Sequence, residues 1–340
     1  MKKIYIVIMF IVAASFTFAQ QNVSKTGTTA ATFLEIPSGG RAIGMGGAAV
    51  STINDASALY WNPSAITNLE QSQFLVSHTN WIAQTNFDFA ALVINLGTFG
   101  SLGLSYTSLS MPDMQVTTVE KPDGTGEYFS AGDMAIGLTY ARTITDRFSI
   151  GITAKFIQQK IWHESAYGFG FDAGTTFRTD LLNGLVIGAT ISNFGSSMQM
   201  TGRDTRAFYR VDATKLGSNE KIPYSIETDS WDLPLYIQLG ISTNVIKTDD
   251  FKWLVAVDAL HPNNNYESVN VGSELSYKNV LFLRGGYQSL FLKESEGGLS
   301  LGLGVTTSDI FGSTSVVFDY AYRDFGRLES VHVFTVGIKF

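Results

Sequence analysis

Apolar residues recur at every second position along most of this chain, and the C-terminal stretch shows the pattern plainly. Phe334, Val336, Ile338 and Phe340 share one parity, while Thr335, Gly337 and Lys339 share the other. Successive side chains of a strand point to opposite faces, so this alternation predicts a strand lying between lipid and a wet interior. Fourteen such stretches can be traced. They begin at 73–80 and at 86–96, where Phe87, Phe89, Ala91 and Val93 alternate with Asp88 and Ala90. They continue through 102–106, 134–140, 148–156, 167–177 and 185–191, then 235–241, 251–257 and 269–277. A stretch at Val280 and Phe282 reads in either parity, and 299–305, 316–322 and the terminal strand complete the set. The expected fold is an all-β membrane protein, an antiparallel outer-membrane β-barrel of about 14 strands with an N-terminal plug.

The connections supply a second, independent pattern. Short links are expected near 95–99, 142–147, 179–184, 247–250, 278–279 and 308–312, with longer ones between them, the largest at 109–131 and 194–233. Outer-membrane barrels have short periplasmic turns and longer outer loops, and an even strand number returns the chain to its starting side. Both mature termini are therefore expected in the periplasm. A soluble β-sandwich would explain neither the lipid-like faces nor the alternating loop lengths.

The chain opens with Met1-Lys2-Lys3, an apolar run from Ile4 to Ala14, and Thr17-Phe18-Ala19 before Gln20, which fits an export signal over residues 1–19. No later run approaches the roughly 18 apolar residues of a spanning helix, so the 45% hydrophobic content must lie on elements buried on one face. With 33 Gly and 13% aromatic residues, the composition suits strands that need thin inner walls and interfacial rings. The absence of Cys excludes disulfides, thiolate metal sites and a lipidated N-terminal cysteine. Net charge is −7 and becomes more acidic when Lys2 and Lys3 leave with the signal, and no basic stripe interleaves with aromatics, so no nucleic-acid partner is expected.

Residues 20–70 lack a sustained period of two and are rich in Gly, Ala, Ser and Thr, which sets them apart from the barrel expected over 71–340. The inward parity carries small residues, such as Gly103, Ser105, Gly137, Gly168, Gly170, Gly302 and Gly304. Fourteen strands enclose more space than such side chains fill, so residues 20–70 are expected to fold inside as a plug. The same parity carries Lys155, Asp172, Arg178, Asp258, Glu274 and Asp319. A lipid-facing Arg or Lys would cost roughly 2–4 kcal/mol at the midplane, which assigns such charges to the lumen.

Catalytic chemistry has little support. His78, His163, His261 and His332 lack metal-ligand spacing, so neither a metal nor a cofactor is expected. Gly44-Met45-Gly46-Gly47 follows no buried strand of a βαβ unit and does not read as a dinucleotide loop. His163 and Ser165 resemble a lipase pair at a barrel rim, but no nucleophile elbow or orienting acid accompanies them. No catalytic residues are assigned.

Three segments carry a resemblance. They are Lys25–Leu34, the run Gly40-Arg41-Ala42-Ile43-Gly44-Met45-Gly46-Gly47-Ala48-Ala49-Val50, and Asn54-Asp55-Ala56-Ser57-Ala58-Leu59-Tyr60-Trp61-Asn62-Pro63-Ser64-Ala65. Together they resemble the PorV/PorQ family of type IX secretion proteins, within the wider FadL-like barrels. Where relatives read Asn-Pro-Ala-Gly, this chain has Asn62-Pro63-Ser64-Ala65. The resemblance implies an outer-membrane lipid environment and, as partners, the type IX translocon, the C-terminal domains of cargo and the attachment complex. It implies a component that binds or shuttles cargo, the alternative being a FadL-type transporter of long-chain fatty acids or other hydrophobic molecules. Physically the motif suits a plug anchor: Gly44, Met45, Gly46 and Gly47 let backbone approach the wall, Arg41 can meet an inward carboxylate, and Asn62-Pro63 fixes a turn. Asp55 and Trp61 belong to the same motif. In the longest outer loop, Tyr209, Tyr224 and Trp231 are the expected partner contacts.

Overall fold

The computed structural model describes residues 25–340 except 211–213, 215–220, 293–294 and 312–313. The expected signal at 1–19 and the start of the 20–70 segment lie outside the described residues. The barrel strands are β1 (Gln73–Asn80), β2 (Asn86–Asn95), β3 (Ser101–Ser110), β4 (Ala131–Thr145), β5 (Phe148–Ile161), β6 (Glu164–Arg178) and β7 (Val186–Gly195). They continue as β8 (Tyr236–Lys247), β9 (Phe251–Pro262), β10 (Ser268–Tyr277), β11 (Leu281–Leu290), β12 (Leu299–Phe311), β13 (Thr314–Asp324) and β14 (Ser330–Lys339). Each pairs with its sequence neighbours, and β1 meets β14 in antiparallel register from Gln73 opposite Lys339 to Asn80 opposite His332. The sheet is therefore closed and has no free edge to present to lipid.

The alternation expected from the sequence is visible as burial. Along β3 each of Ser101, Gly103, Ser105 and Thr107 is buried between exposed Leu102, Leu104 and Tyr106. Strand β14 does the same, with Phe334 and Ile338 outward and Val333 and Thr335 inward. Two stretches depart from the simple picture. In β2 the aromatic parity faces inward: Phe87, Phe89, Ala91 and Val93 are buried, Phe87 being 1% exposed, while Asp88 faces outward and pairs with His78 at 2.6 Å. The reason is local packing, because Phe89, Ala91 and Val93 meet Ile53, Leu59 and Trp61 of the interior segment. In β11 the open parity resolves with Leu281 and Leu283 outward and Arg284 buried inside.

Connections alternate as expected with two exceptions, the first being that links 81–85 and 96–100, on opposite sides, are equally long. Residues 111–130 and 196–235 form the longest excursions, but β5 and β6 are joined on that same side by only Trp162 and His163. These two strands, of 14 and 15 residues, carry the wall outward instead of a loop.

Residues 32–68 fold inside the closed wall as a 3-10 turn (Thr32–Glu35), two short helices (Gly40–Gly44 and Ala58–Trp61) and a second 3-10 turn (Pro63–Asn68). Helices this short are not stable alone and depend on tertiary contacts. Nearly every residue from Ile36 to Ile66 is buried, and the main apolar cluster joins Ile53, Leu59, Trp61 and Ile66 to the inner faces of β1, β2 and β4.

Candidate functional site

The interior segment meets the wall through three separate groups. Arg41, on the Gly40–Gly44 helix, makes a bidentate contact to Glu274 of β10, with Nε to Oε2 at 2.9 Å and Nη2 to Oε1 at 3.0 Å. Its Nη1 donates to the Thr52 carbonyl at 3.0 Å and also reaches Asn54. Glu274 Oε2 accepts a further bond from Arg284 Nε at 2.7 Å, and Arg284 Nη1 reaches Asp319 Oδ1 at 2.5 Å. Two guanidiniums and two carboxylates thus form one buried chain from the plug to β10, β11 and β13. Burial opposes the charge on Arg41, but Glu274, then Asp55 and Asp319, outweigh it and raise its pKa above the ordinary value, so it stays charged.

The glycine run follows directly. Gly46 and Gly47 have φ of +64° and +76°, in the left-handed region where a side chain is strained. A Cβ on Gly46 would lie 2.6 Å from Tyr287 N and 2.9 Å from the Val271 carbonyl oxygen, so bare backbone sits against β10 and β11. Met45 fills the adjoining space above Gly272 and Gly286, and Gly44 lies against Gly302 of β12.

The second group is Asp258 of β9, whose Oδ2 accepts the amides of Ala49 and Val50 at 2.8 and 2.9 Å and the Gln238 side chain at 2.9 Å. The third is Asn62. Its Nδ2 donates to the carbonyls of Val50 and Thr175 at 2.9 and 3.1 Å, and its Oδ1 accepts from Ser64 N at 3.1 Å. Pro63 opens the following 3-10 turn and packs on Gly151 and Gly174, where a Cβ would come within 3 Å. Asp55 supports the Arg41 charge from a distance, and its own hydrogen bonds go to Ser57, whose amide and hydroxyl it accepts at 2.8 and 2.5 Å. Trp61 donates from Nε1 to the Ser38 carbonyl at 2.8 Å, and its ring edge lies beside Gly47.

Several wall residues in these contacts have no sequence motif of their own. Asn270 donates to the Gly47 carbonyl at 3.3 Å, Gln73 accepts the Ala56 amide at 2.9 Å, and Thr335 accepts the Gly40 amide at 2.9 Å. Their signal is a polar residue on the inward parity. Lys155 pairs with Asp172 at 2.8 Å beside an enclosed cavity of about 20 Å³, which Leu59, Tyr60, Phe89 and Tyr236 also line. That space has room for about one water molecule.

The outer loop brings two of its three expected aromatics together. Tyr209 and Tyr224 lie on the hairpin Arg206–Tyr209/Ile222–Ser225, edge to face with centroids 6.4 Å apart. They are 55% and 44% exposed beside exposed Phe208 and Ile226. Trp231 stands apart, in a two-residue pairing with Met198. His163 stacks on Trp162 and hydrogen-bonds Asp204 at 2.8 Å; among the described residues it makes no bond to Ser165, which pairs through backbone with Thr201. The His163 bond, with help from Arg203, holds the Asp204 carboxyl below the usual range.

The model of type IX secretion system protein PorV matches residues 18–259. The chain belongs to the PorV family. It is thus an outer-membrane barrel of a secretion family. No curated protein sequence shows significant similarity to it. Among solved structures, a Pseudomonas aeruginosa FadL homologue superposes with a TM-score of 0.52 at 12% identity, covering 94% of this chain and 99% of that one. The CymD monoaromatic hydrocarbon channel gives 0.54 at 14% identity, covering 88% and 96%. The P. putida toluene transporter TodX gives 0.54 at 12%, also covering 88% and 96%. These likenesses establish the FadL-like fold.

Proposed function

We propose that this PorV-family barrel binds secreted cargo at its outer rim and passes it from the translocon to a surface attachment complex. In this reading residues 1–19 are a removed signal, 20–70 a permanent plug and 71–340 the barrel, with both mature termini periplasmic. Arg41, the Gly44–Gly47 run, Asp55, Trp61, Asn62 and Pro63 hold the plug and touch no cargo. The observation that carries the reading is the contrast between a filled lumen and an exposed aromatic hairpin. Tyr209 and Tyr224, which share one face of the hairpin, offer the kind of anchor that dominates protein interfaces.

The second reading, transport of a hydrophobic molecule, draws on the likeness to a toluene transporter. A site for such a molecule occupies about 300–1,000 Å³. The interior cavity beside the plug offers about 20 Å³ and is bordered by the Lys155–Asp172 pair. This favours the rim over the lumen.

The test is gentle extraction of tagged barrel from secreting cells, with co-purified proteins identified and fatty-acid uptake measured on the same strains. Cargo bearing type IX signal domains should co-purify, and Tyr209→Ala with Tyr224→Ala should reduce its recovery about tenfold or more, as expected for interface anchors. Recovery of no such cargo, together with uptake that depends on the barrel, would overturn the reading.

A further inference from the structure

Beside the hairpin, the outer mouth holds a preformed groove of about 450 Å³ that the fold does not use. Its apolar lining comes from Met198, Met200, Trp231 and Ala30, the last belonging to the plug, and its rim carries Glu227 and Asp229. The walls are braced to one another. The Gln199 side chain donates to the Thr228 carbonyl and the Thr228 hydroxyl to the Met200 carbonyl, both at 2.5 Å, while Met198 lies opposite Trp231 in register. The plug closes one end, with Ala30 N donating to the Asp232 carbonyl and Ala31 N to Gln159 Oε1, both at 2.9 Å. Such bracing keeps the groove open without an occupant, so little ordering is needed on binding.

The two charged residues in its lining, Glu227 and Asp229, are both acidic. Glu227 and Asp229 are exposed and make no ion pair among the described residues. Asp133 stands next along the wall, accepting from Gln159 at 3.1 Å, and Asp232 adjoins Trp231. Nearby Arg203 is already engaged with Asp204. Thioether and indole surfaces below two unpaired carboxylates suit a side chain that is apolar along its stem and cationic at its tip. A phosphate-bearing lipid headgroup would meet like charge here, which disfavours it.

We propose that this groove binds a peptide segment carrying a lysine or arginine, its alkyl stem lying on Met200 and Trp231 and its charged head between Glu227 and Asp229. Cargo as the source of that segment rests on the function proposed above. The contact would also place the segment against Ala30, the point where the plug reaches the outer mouth.

The test uses the intact barrel in detergent and a fluorescent heptapeptide alternating lysine with valine, against the same peptide with glutamate for lysine. Wild type should bind the lysine peptide in a salt-sensitive way and the glutamate peptide at least tenfold more weakly. Glu227→Gln with Asp229→Asn should weaken the lysine peptide about tenfold and flatten its salt dependence, and Trp231→Ala should weaken it independently. Unchanged heat-modifiable migration verifies that these variants fold. Equal binding of both peptides, unchanged affinity in the double variant, or preferential binding of dodecyl phosphate would overturn the proposal. Cargo recovery separates the two ideas: full recovery by the Glu227/Asp229 variant removes the groove while leaving the cargo reading intact. Wild type that binds the lysine peptide but recovers no cargo removes the cargo reading alone.

Discussion

Placing alanine in turn at Gly46, Gly47 and Gly27 tests whether the plug is seated by close backbone contact, because the three sites differ in one variable. All have positive φ, at +64°, +76° and +82°. A non-glycine residue there costs about 1–2 kcal/mol from the backbone alone. At Gly27 nothing lies within 4 Å of the added Cβ, so only that strain applies. At Gly47 the Cβ meets Asn270 Nδ2 at 3.0 Å, an amide that can move at the expense of its bond to the Gly47 carbonyl. At Gly46 it would meet the backbone of Tyr287, Gly286 and Val271 at 2.6 to 2.9 Å, atoms fixed by the β10–β11 ladder. Overpacking of this kind adds about 1–3 kcal/mol, so Gly46→Ala should destabilise plug seating by roughly 2–5 kcal/mol.

Hydrogen exchange of amides 40–62 in the detergent-solubilised protein reads that quantity as local opening. Exchange there should accelerate by roughly 30-fold to several thousand-fold in Gly46→Ala, by less in Gly47→Ala, and by no more than about 5- to 30-fold in Gly27→Ala, where only the backbone strain applies, each 1.4 kcal/mol being a factor of ten. Strand amides of β4 to β6 should stay protected, since the wall does not depend on the plug for its ladder. Gly46→Ala exchange within threefold of wild type, or a larger effect at Gly47 than at Gly46, would refute the reasoning.

Three further outcomes are expected. Arg41→Met should destabilise plug seating by about 3 kcal/mol or less, below the usual 3–5 kcal/mol for breaking a buried pair, because Arg284 still neutralises Glu274; Glu274→Leu, which strands Arg41, should cost more by the same exchange measurement. Phe340→Ala should lower outer-membrane abundance without changing the melting of barrel that has assembled, since Phe340 lies on the lipid-facing parity and its side chain is half exposed; equal abundance of variant and wild type counts against an assembly role. A cysteine at Ser110 should react with a membrane-impermeant reagent on intact cells and one at Arg147 should not, and the reverse result would invert the proposed topology.

The barrel was legible because period-two alternation is a local property, recorded within each strand. The strand at 73–80 follows from it directly, and its pairing with the C-terminal strand follows only once the set is taken to close as a barrel. What alternation does not record is which face is inside when both are apolar. In β2 the decision rests on Leu59 and Trp61, which pack on Phe89 and Val93 from a segment some thirty residues earlier. Arg284 escaped for a related reason: Val280 and Phe282 suggest one parity and Leu281 and Leu283 the other, and the buried charge settles it only through Glu274 directly opposite. The plug motif could be read as a set of anchors, but its partners could not be named. Arg41 and Glu274 lie 233 positions apart, and only closure of the wall brings them together.

The charges inside this barrel and the charges at its mouth differ in a way that bears on function. Within the lumen, Arg41, Glu274, Arg284 and Asp319 alternate in sign and satisfy one another, and Lys155 meets Asp172. Removing one member from such a network leaves a buried charge unpaired, so any path for a substrate along these strands would have to dismantle contacts worth several kcal/mol each. At the mouth, by contrast, Glu227 and Asp229 are exposed beside a groove that is already open. Binding there disrupts no existing pair and gains two. Paired charges thus stand where a transporter would need to move, and exposed unpaired ones where a protein partner would dock, which is the physical basis for proposing that recognition takes place at the rim.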